Sequence, residues 1–261
     1  MHPRLKAVVF DWAGTMIDFG SRAPVVALCR VFEGAGVPVS EAEARADMGR
    51  AKIDHIRALL AKPRVAAAWA AQHGNASDET DVARLFAQIE PMMHDAARDC
   101  TTLIPGAAEV AGQLRAVGVK IGSCTGYTRD MMADILPRAA EQGYAPDLVV
   151  CAGETAEGRP SPLMVWKILV ELGVWPATAC IKVDDAPVGM AEGRAAGLWT
   201  VGVAVSGNAM GLSLEDYRTL GDDERAQRLA VARASLTEGG AHVVIDTVAD
   251  LPAAIAALPI G

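Results

Sequence analysis

An α/β fold is predicted by this sequence: a parallel sheet with helices on both faces, interrupted by one inserted all-helical block. Three observations predict it. Short runs rich in branched residues recur along the chain and end in polar residues or glycine. Between most of them lie Ala-rich stretches of helical period, the alternation expected of a parallel sheet. That alternation lapses once, between about residues 22 and 99, where helical patterns occur without a convincing strand.

The first strand is expected over 6–10 and ends at Asp11. Helical patterns then cover 24–35, 50–60, 64–73 and 78–99, and Pro105-Gly106 marks the return to alternation. A helix over 107–117 leads into a strand over 119–123. Further strands are expected at 148–151, 180–183, 200–204 and 243–246, with a helix over 161–172 among them. Residues 207–240 are polar and partly helical, most clearly over 222–234, and suggest no role. The expected division is an α/β core of residues 1–21 and 100–261 with a helical cap of residues 22–99. Inserted after the first strand, that cap would cover the sheet edge where ligands of such folds sit, beyond the carboxyl ends of the strands.

The 261 residues are 51% hydrophobic, enough for a sizeable core, and carry a formal net charge of −8. That acidity argues against nucleic acid or an anionic membrane as the main partner, but not against a small phosphorylated substrate. Five scattered cysteines, with no CxxC pair, read as reduced thiols rather than a disulfide framework or zinc site. No apolar stretch approaches the roughly 20 residues of a membrane span, and no signal peptide fits before Asp11. The expectation is a cytoplasmic protein.

Three strand ends and one helix opening carry chemistry. Phe10-Asp11-Trp12-Ala13-Gly14-Thr15 exposes a carboxylate above the sheet, and Gly14 lets backbone N–H groups approach an anionic oxygen. Cys124-Thr125-Gly126 offers a hydroxyl and backbone donors. Arg159 stands at the opening of the 161–172 helix as a fixed cation. Asp184-Asp185 places two acids side by side, a costly pair unless something neutralises it, and Mg²⁺ is the usual partner.

Taken in order, Asp-x-x-Gly-Thr, Thr-Gly, a basic residue and Asp-Asp resemble the haloacid dehalogenase superfamily over nearly the whole chain. The resemblance implies a Rossmann-like core, a helical cap, an aspartyl-enzyme intermediate and Mg²⁺. It implies Asp11 as nucleophile and metal ligand, with the Ala13 carbonyl and Asp185 as further ligands and Asp184 supporting or sharing the metal. Thr125 and Arg159 would hold the transferring phosphoryl group.

One departure is informative. Phosphatases of this superfamily carry a second Asp two residues after the nucleophile, which protonates the leaving alkoxide; here that position is Ala13. Loss of such an acid costs about 10²–10⁴-fold. A carbon leaving group needs a different device. If the adjacent carbon bears an aldehyde, a lysine amine can convert it to an iminium, and the electrons of the broken P–C bond then flow into an enamine. Lys52 is the candidate, and His55, three residues on along the same helix face, is expected to move protons during imine formation and enamine protonation. Met48, if helical, would flank it as an apolar wall that lowers the amine's pKa.

Asp-Trp-Ala-Gly-Thr, Met-Gly-x-x-Lys-x-x-His, Gly-Ser-x-Thr-Gly-Tyr-Thr and Gly-Arg-Pro-x-Pro together resemble phosphonoacetaldehyde hydrolases, as does the Glu-Gly-Arg-Ala-Ala-Gly stretch after the acid pair. That resemblance implies a Schiff base on Lys52, with His55, Met48 and Tyr127 in the aldehyde pocket, a small phosphonate substrate and a homodimer. Two positions depart from the pattern. Ser21 stands where some members have cysteine. Some members also have Gly-Asp followed four residues later by a second Asp, whereas here the acids are adjacent and Gly189 takes the later place. Rival readings are a phosphomonoesterase or phosphosugar mutase of the superfamily, a hydrolase of a related phosphonoaldehyde, a 2-haloacid dehalogenase, or a binding or regulatory protein that keeps the fold without turnover.

Overall fold

The computed structural model describes residues 2–260, with the side chains of residues 90 and 94–99 outside the description. Strand β1 (Ala7–Phe10) opens the chain. A helical insertion follows: α1 (Arg22–Gly34), α2 (Glu41–Arg45), α3 (Lys52–Leu60), α4 (Pro63–His73) and α5 (Glu79–Asp99). Alternation then resumes with α6 (Ala107–Ala116), β2 (Lys120–Cys124), α7 (Arg129–Met132), α8 (Ile135–Glu141), β3 (Leu148–Val150), α9 (Leu163–Glu171) and β4 (Cys180–Asp184). The chain finishes with α10 (Pro187–Ala195), β5 (Trp199–Val203), α11 (Leu214–Thr219), α12 (Asp222–Glu238), β6 (Val243–Ile245) and α13 (Leu251–Ala257).

The sheet is parallel throughout, in the order β3-β2-β1-β4-β5-β6. Strand β1 sits where the winding direction reverses, so its carboxyl end opens into the crevice that such folds use for ligands. Successive side chains of a strand point to opposite faces. Val8 and Phe10 accordingly join one core cluster with Val110, Leu114 and Ile255, while Ala7 and Val9 join another with Met164, Val165 and Ile168. Helices α6 and α13 therefore cover one face and α9 the other.

All six expected strands are present, each displaced by at most one residue at either end. Helix boundaries moved more. The helix expected from residue 50 begins at Lys52, because Gly49 adopts a left-handed φ of 91° and Ala51 is extended. Met48 is therefore in the turn before α3, not on a helical face as the sequence pattern suggested. Helix α9 begins at Leu163, so Arg159 precedes it by a turn rather than opening it. Helices α2, α7, α8 and α11 escape the pattern because segments of seven residues or fewer barely display a period.

Two crossings join the insertion to the sheet, and they lie side by side. Ile17 pairs with Leu103 in an antiparallel bridge, and the Ile104 N–H donates to the Met16 carbonyl at 2.9 Å. Asp18, at φ 55°, accepts from the Arg22 and Ala23 N–H groups at 3.1 and 3.0 Å and so caps α1.

Candidate active site

Strands β2, β1 and β4 are neighbours, and parallel pairing puts their carboxyl ends on one edge. Asp11, Thr125 and the Asp184-Asp185 pair thus meet although far apart in sequence. One small cavity, of about 20 Å³, has walls from the core and the insertion. The core contributes Asp11, Ala13, Thr125, Gly126, Tyr127, Arg159 and Asp185, and the insertion contributes Met48 and Lys52. Gly14, His55 and Asp184 stand behind these walls. The contact between the two parts is close: a Cβ on Gly126 would lie 2.4 Å from the Arg50 carbonyl oxygen.

Arg159 is the electrostatic hub and is buried. Its Nη1 lies 2.9 Å from Asp11 Oδ1 and 3.5 Å from Asp184 Oδ2, and its Nε lies 3.0 Å from Glu192 Oε2. Its Nη2 donates to the Cys124 carbonyl at 2.8 Å. Burial, reinforced by Asp184, raises the Asp11 pKa to about 6, against the pull of Arg159 and Lys182. The Thr125 hydroxyl accepts from the Tyr127 N–H at 3.1 Å, which fixes that strand tip.

Lys52, the first residue of α3, is 2% exposed. Its Nζ stands 5.2 Å from the centre of the Tyr127 ring. Burial lowers its pKa to about 8, with Asp11 pulling the other way. A lysine this poorly solvated carries an appreciable fraction of free amine near neutrality. His55 shares the helix face as expected, yet it is wholly buried and its pKa falls to about 3 through burial and the neighbouring Lys52. It is a neutral imidazole packed behind the lysine.

One carboxylate oxygen each from Asp11, Asp184 and Asp185 lies within 4.8 Å of the others. Four buried acids (Asp11, Asp184, Asp185 and Glu192) outnumber the buried cations Arg159, Lys182 and Lys52. A bound cation would offset that excess of negative charge. The two adjacent acids are not equivalent. Asp184 is engaged by Lys182 Nζ at 3.0 Å, whereas Asp185 has no ion-pair partner among the described residues and accepts the Asn208 N–H at 2.6 Å. Burial, with Asp11 and Asp184 nearby, pushes the Asp185 pKa well above the carboxylate range. The all-oxygen donor set and the unneutralised Asp185 fit a hard divalent ion such as Mg²⁺.

A family model described as haloacid dehalogenase-like hydrolase matches residues 5–197. The phosphonoacetaldehyde hydrolase of Paraburkholderia xenovorans is 51% identical over 247 residues, covering 95% of this chain and 92% of that protein. That of Hahella chejuensis is 46% identical, covering 96% and 85%. The chain belongs to the phosphonoacetaldehyde hydrolase family. A solved structure described as a phosphonoacetaldehyde hydrolase-like protein from Oleispira antarctica superposes with a TM-score of 0.96 at 45% identity, covering 97% of this chain and 92% of that one. The β-phosphoglucomutase of Clostridium difficile shares the fold alone, with a TM-score of 0.68 at 16% identity, covering 95% and 93%. This chain is therefore a hydrolase of the haloacid dehalogenase-like fold.

Sequence reasoning missed four residues of this hydrolase site. Lys182 lies within β4, fully buried, 3.3 Å from Glu192 and 3.2 Å from the Cys124 sulfur. Glu192 of α10 binds Arg159 from behind. Neither stands out by type, since one lies inside a strand and the other inside a helix. Arg45 of α2 reaches across to the core, donating to the Gly20, Asn208 and Gly211 carbonyls and to Asn208 Oδ1 at 3.0–3.3 Å. Asn208 returns a bond to the Arg45 carbonyl at 3.0 Å while its N–H holds Asp185. The polar stretch without a sequence role thus begins with a loop that latches the insertion to an acid of the site. Arg45→Ala is expected to raise KM about tenfold, the worth of a charged hydrogen-bond cluster, while kcat falls less. Steady-state kinetics check this; an unchanged KM would show that the latch does not hold the two parts together.

Proposed function

We propose that this enzyme cleaves the P–C bond of phosphonoacetaldehyde to acetaldehyde and phosphate, through a Schiff base on Lys52 and a phosphorylated Asp11. The single observation carrying this reading is the position of Lys52, buried with a pKa near 8 in the same cavity as Asp11, where Ala13 occupies the usual general-acid position. The names of the close relatives support it.

The helical insertion, residues 22–99, acts as the cap. A cavity of about 20 Å³ holds little more than a water, so the cap opens to admit substrate and closes on it. Arg159, Thr125 and the backbone donors after Asp11 receive the phosphonate. Asp11, Asp185 and the Ala13 carbonyl would hold a magnesium ion, which would supply charge stabilisation for the transferring phosphoryl group. Lys52 Nζ adds to the aldehyde carbon, water departs, and a protonated imine forms. The Asp11 carboxylate then attacks phosphorus. The P–C bond breaks, and its electron pair becomes the double bond of an enamine on Lys52. Protonation at carbon and addition of water release acetaldehyde and restore the amine. A second water cleaves the aspartyl-phosphate. His55, neutral and buried, fixes the helix face that presents Lys52.

The homodimer that the family resemblance implies is part of the same proposal. No helix among the described residues is long and apolar enough to cross a membrane. All five cysteines are free thiols, which fits the proposed cytoplasmic setting.

The deciding assay is phosphate release from phosphonoacetaldehyde and from simple phosphate esters, with and without Mg²⁺. Faster release from esters would replace this reading with a phosphomonoesterase. The pH profile follows from the site. A Lys52 amine must be free to attack, so kcat/KM is expected to rise about tenfold from pH 7 towards pH 9, levelling above the lysine's pKa of about 8. A profile flat across that range would remove the amine from the rate-determining events.

A further inference from the structure

A second cavity, far larger than the catalytic one, lies beside the two crossings that join the insertion to the core. It is a groove of about 510 Å³, within the range that small-molecule sites occupy. Both parts of the chain build it. Helix α1 and Met92 of α5 line it from the insertion, and Leu103, Pro105 and Leu214 line it from the core. Helix α1 is also the wall between the two cavities. Ser21 and Pro24 face the catalytic one, whereas Arg22, Val26, Ala27 and Arg30 face the groove from another side of the helix.

The lining is mostly apolar, with a cation at each end of the α1 stripe. Val26 stays 38% exposed there, and Phe19 and Met92 are half-buried. Arg22 and Arg30 stand eight residues apart, about 12 Å along the helix. Neither makes an ion pair among the described residues. Asp18 also lines the groove, but its two oxygens accept the Arg22 and Ala23 N–H groups. Asp216 of α11 attracts Arg22 from a distance without pairing with it. Arg30 is thus a cation with no carboxylate partner among the described residues, beside an apolar slot. That combination suits an anion with a hydrocarbon tail. We propose that the groove is an effector site for a small amphiphilic carboxylate, its head on Arg30 and its tail along Val26 and Ala27 towards Leu103 and Leu214, and that occupancy holds the cap closed. The sign follows from the hinge. The two cavities flank α1, so swinging the helix away from the catalytic mouth drives its other side into the groove, and a filled groove opposes that motion. The effect on the cap rests on the opening and closing proposed above; the binding itself does not.

Octanoate, below its micelle concentration, is the probe. Calorimetry on the full chain is expected to show saturable binding at one site, and octanol and octylamine are expected to bind about tenfold more weakly or not at all. Arg30→Gln should weaken octanoate binding about tenfold while leaving uninhibited activity unchanged. Val26→Trp grows into the groove from an exposed position, so it should abolish binding in a protein that still folds. Saturating octanoate should lower kcat about fivefold in the natural protein and leave it unchanged in Val26→Trp. No saturable binding, or equal binding by Val26→Trp, overturns the site. Octanol binding as tightly as octanoate overturns the anionic ligand. Failure of octanoate to bind, together with a dimer that Val26→Trp splits into monomers, makes the occupant a second copy and overturns the proposal. Binding with an unchanged kcat overturns the hold on the cap. Calorimetry needs no turnover, so failure of the proposed reaction and failure of the site are told apart.

Discussion

Lys52→Arg is expected to lower P–C cleavage by about 10⁴-fold or more while leaving the protein folded, because it keeps a cation at the site and removes the one nucleophilic amine among the described residues lining the cavity. Guanidinium stays protonated at any working pH and forms no imine. The leaving carbanion then has no electron sink, and Ala13 supplies no proton in its place. Lys52 is 2% exposed, so the longer side chain also crowds the cap–core contact, and Lys52→Met, close in shape and uncharged, is the companion variant. Both should retain the far-UV spectrum and the Tm of a folded protein within a few degrees. Cleavage by either variant at more than about a tenth of the natural rate would mean that the bond breaks without covalent activation of the aldehyde.

Asp11→Asn should be as damaging to phosphate release, by about 10⁴-fold or more, yet it should separate the two halves of the reaction. Asp11 is 2.9 Å from Arg159 and near enough to Lys52 to raise its pKa. Removing that negative charge leaves burial and Arg159 to act on the lysine, so its pKa falls further and imine formation persists. The variant is therefore expected to bind substrate covalently at Lys52 and stall, with no phosphate released. Phosphate assays run beside a reductive trap read both halves on one sample. Loss of both phosphate and adduct would place Asp11 ahead of the imine, contrary to the order of steps proposed.

Much of this was legible in the chain because the fold writes it locally. A buried parallel strand is a short apolar run, and the residue just after it lies at the sheet edge, so the convergence of Asp11, Thr125 and Asp185 could be read directly. Residues whose meaning depends on a distant partner could not. Lys182 interrupts an apolar strand with a charge that only Asp184 and Glu192 explain. Arg45 resembles any helix-surface arginine until α2 is seen against the Gly207–Gly211 loop. Met48 lost its expected helical setting to the left-handed turn at Gly49, but that turn delivers it to the cavity wall all the same. The pair Asp184–Asp185 was visible as a pair, while its division of labour depends on Lys182 and Asn208, which reach it through the fold.

The proposed reaction turns on a covalent bond between Lys52 and the aldehyde. Borohydride added during turnover of phosphonoacetaldehyde reduces such an imine to a stable amine. The predicted result is inactivation that requires substrate, with one alkyl adduct per chain located by peptide mass spectrometry on Lys52, and no adduct in Lys52→Met. An enzyme that keeps full activity under these conditions, or an adduct on any other lysine, would contradict it.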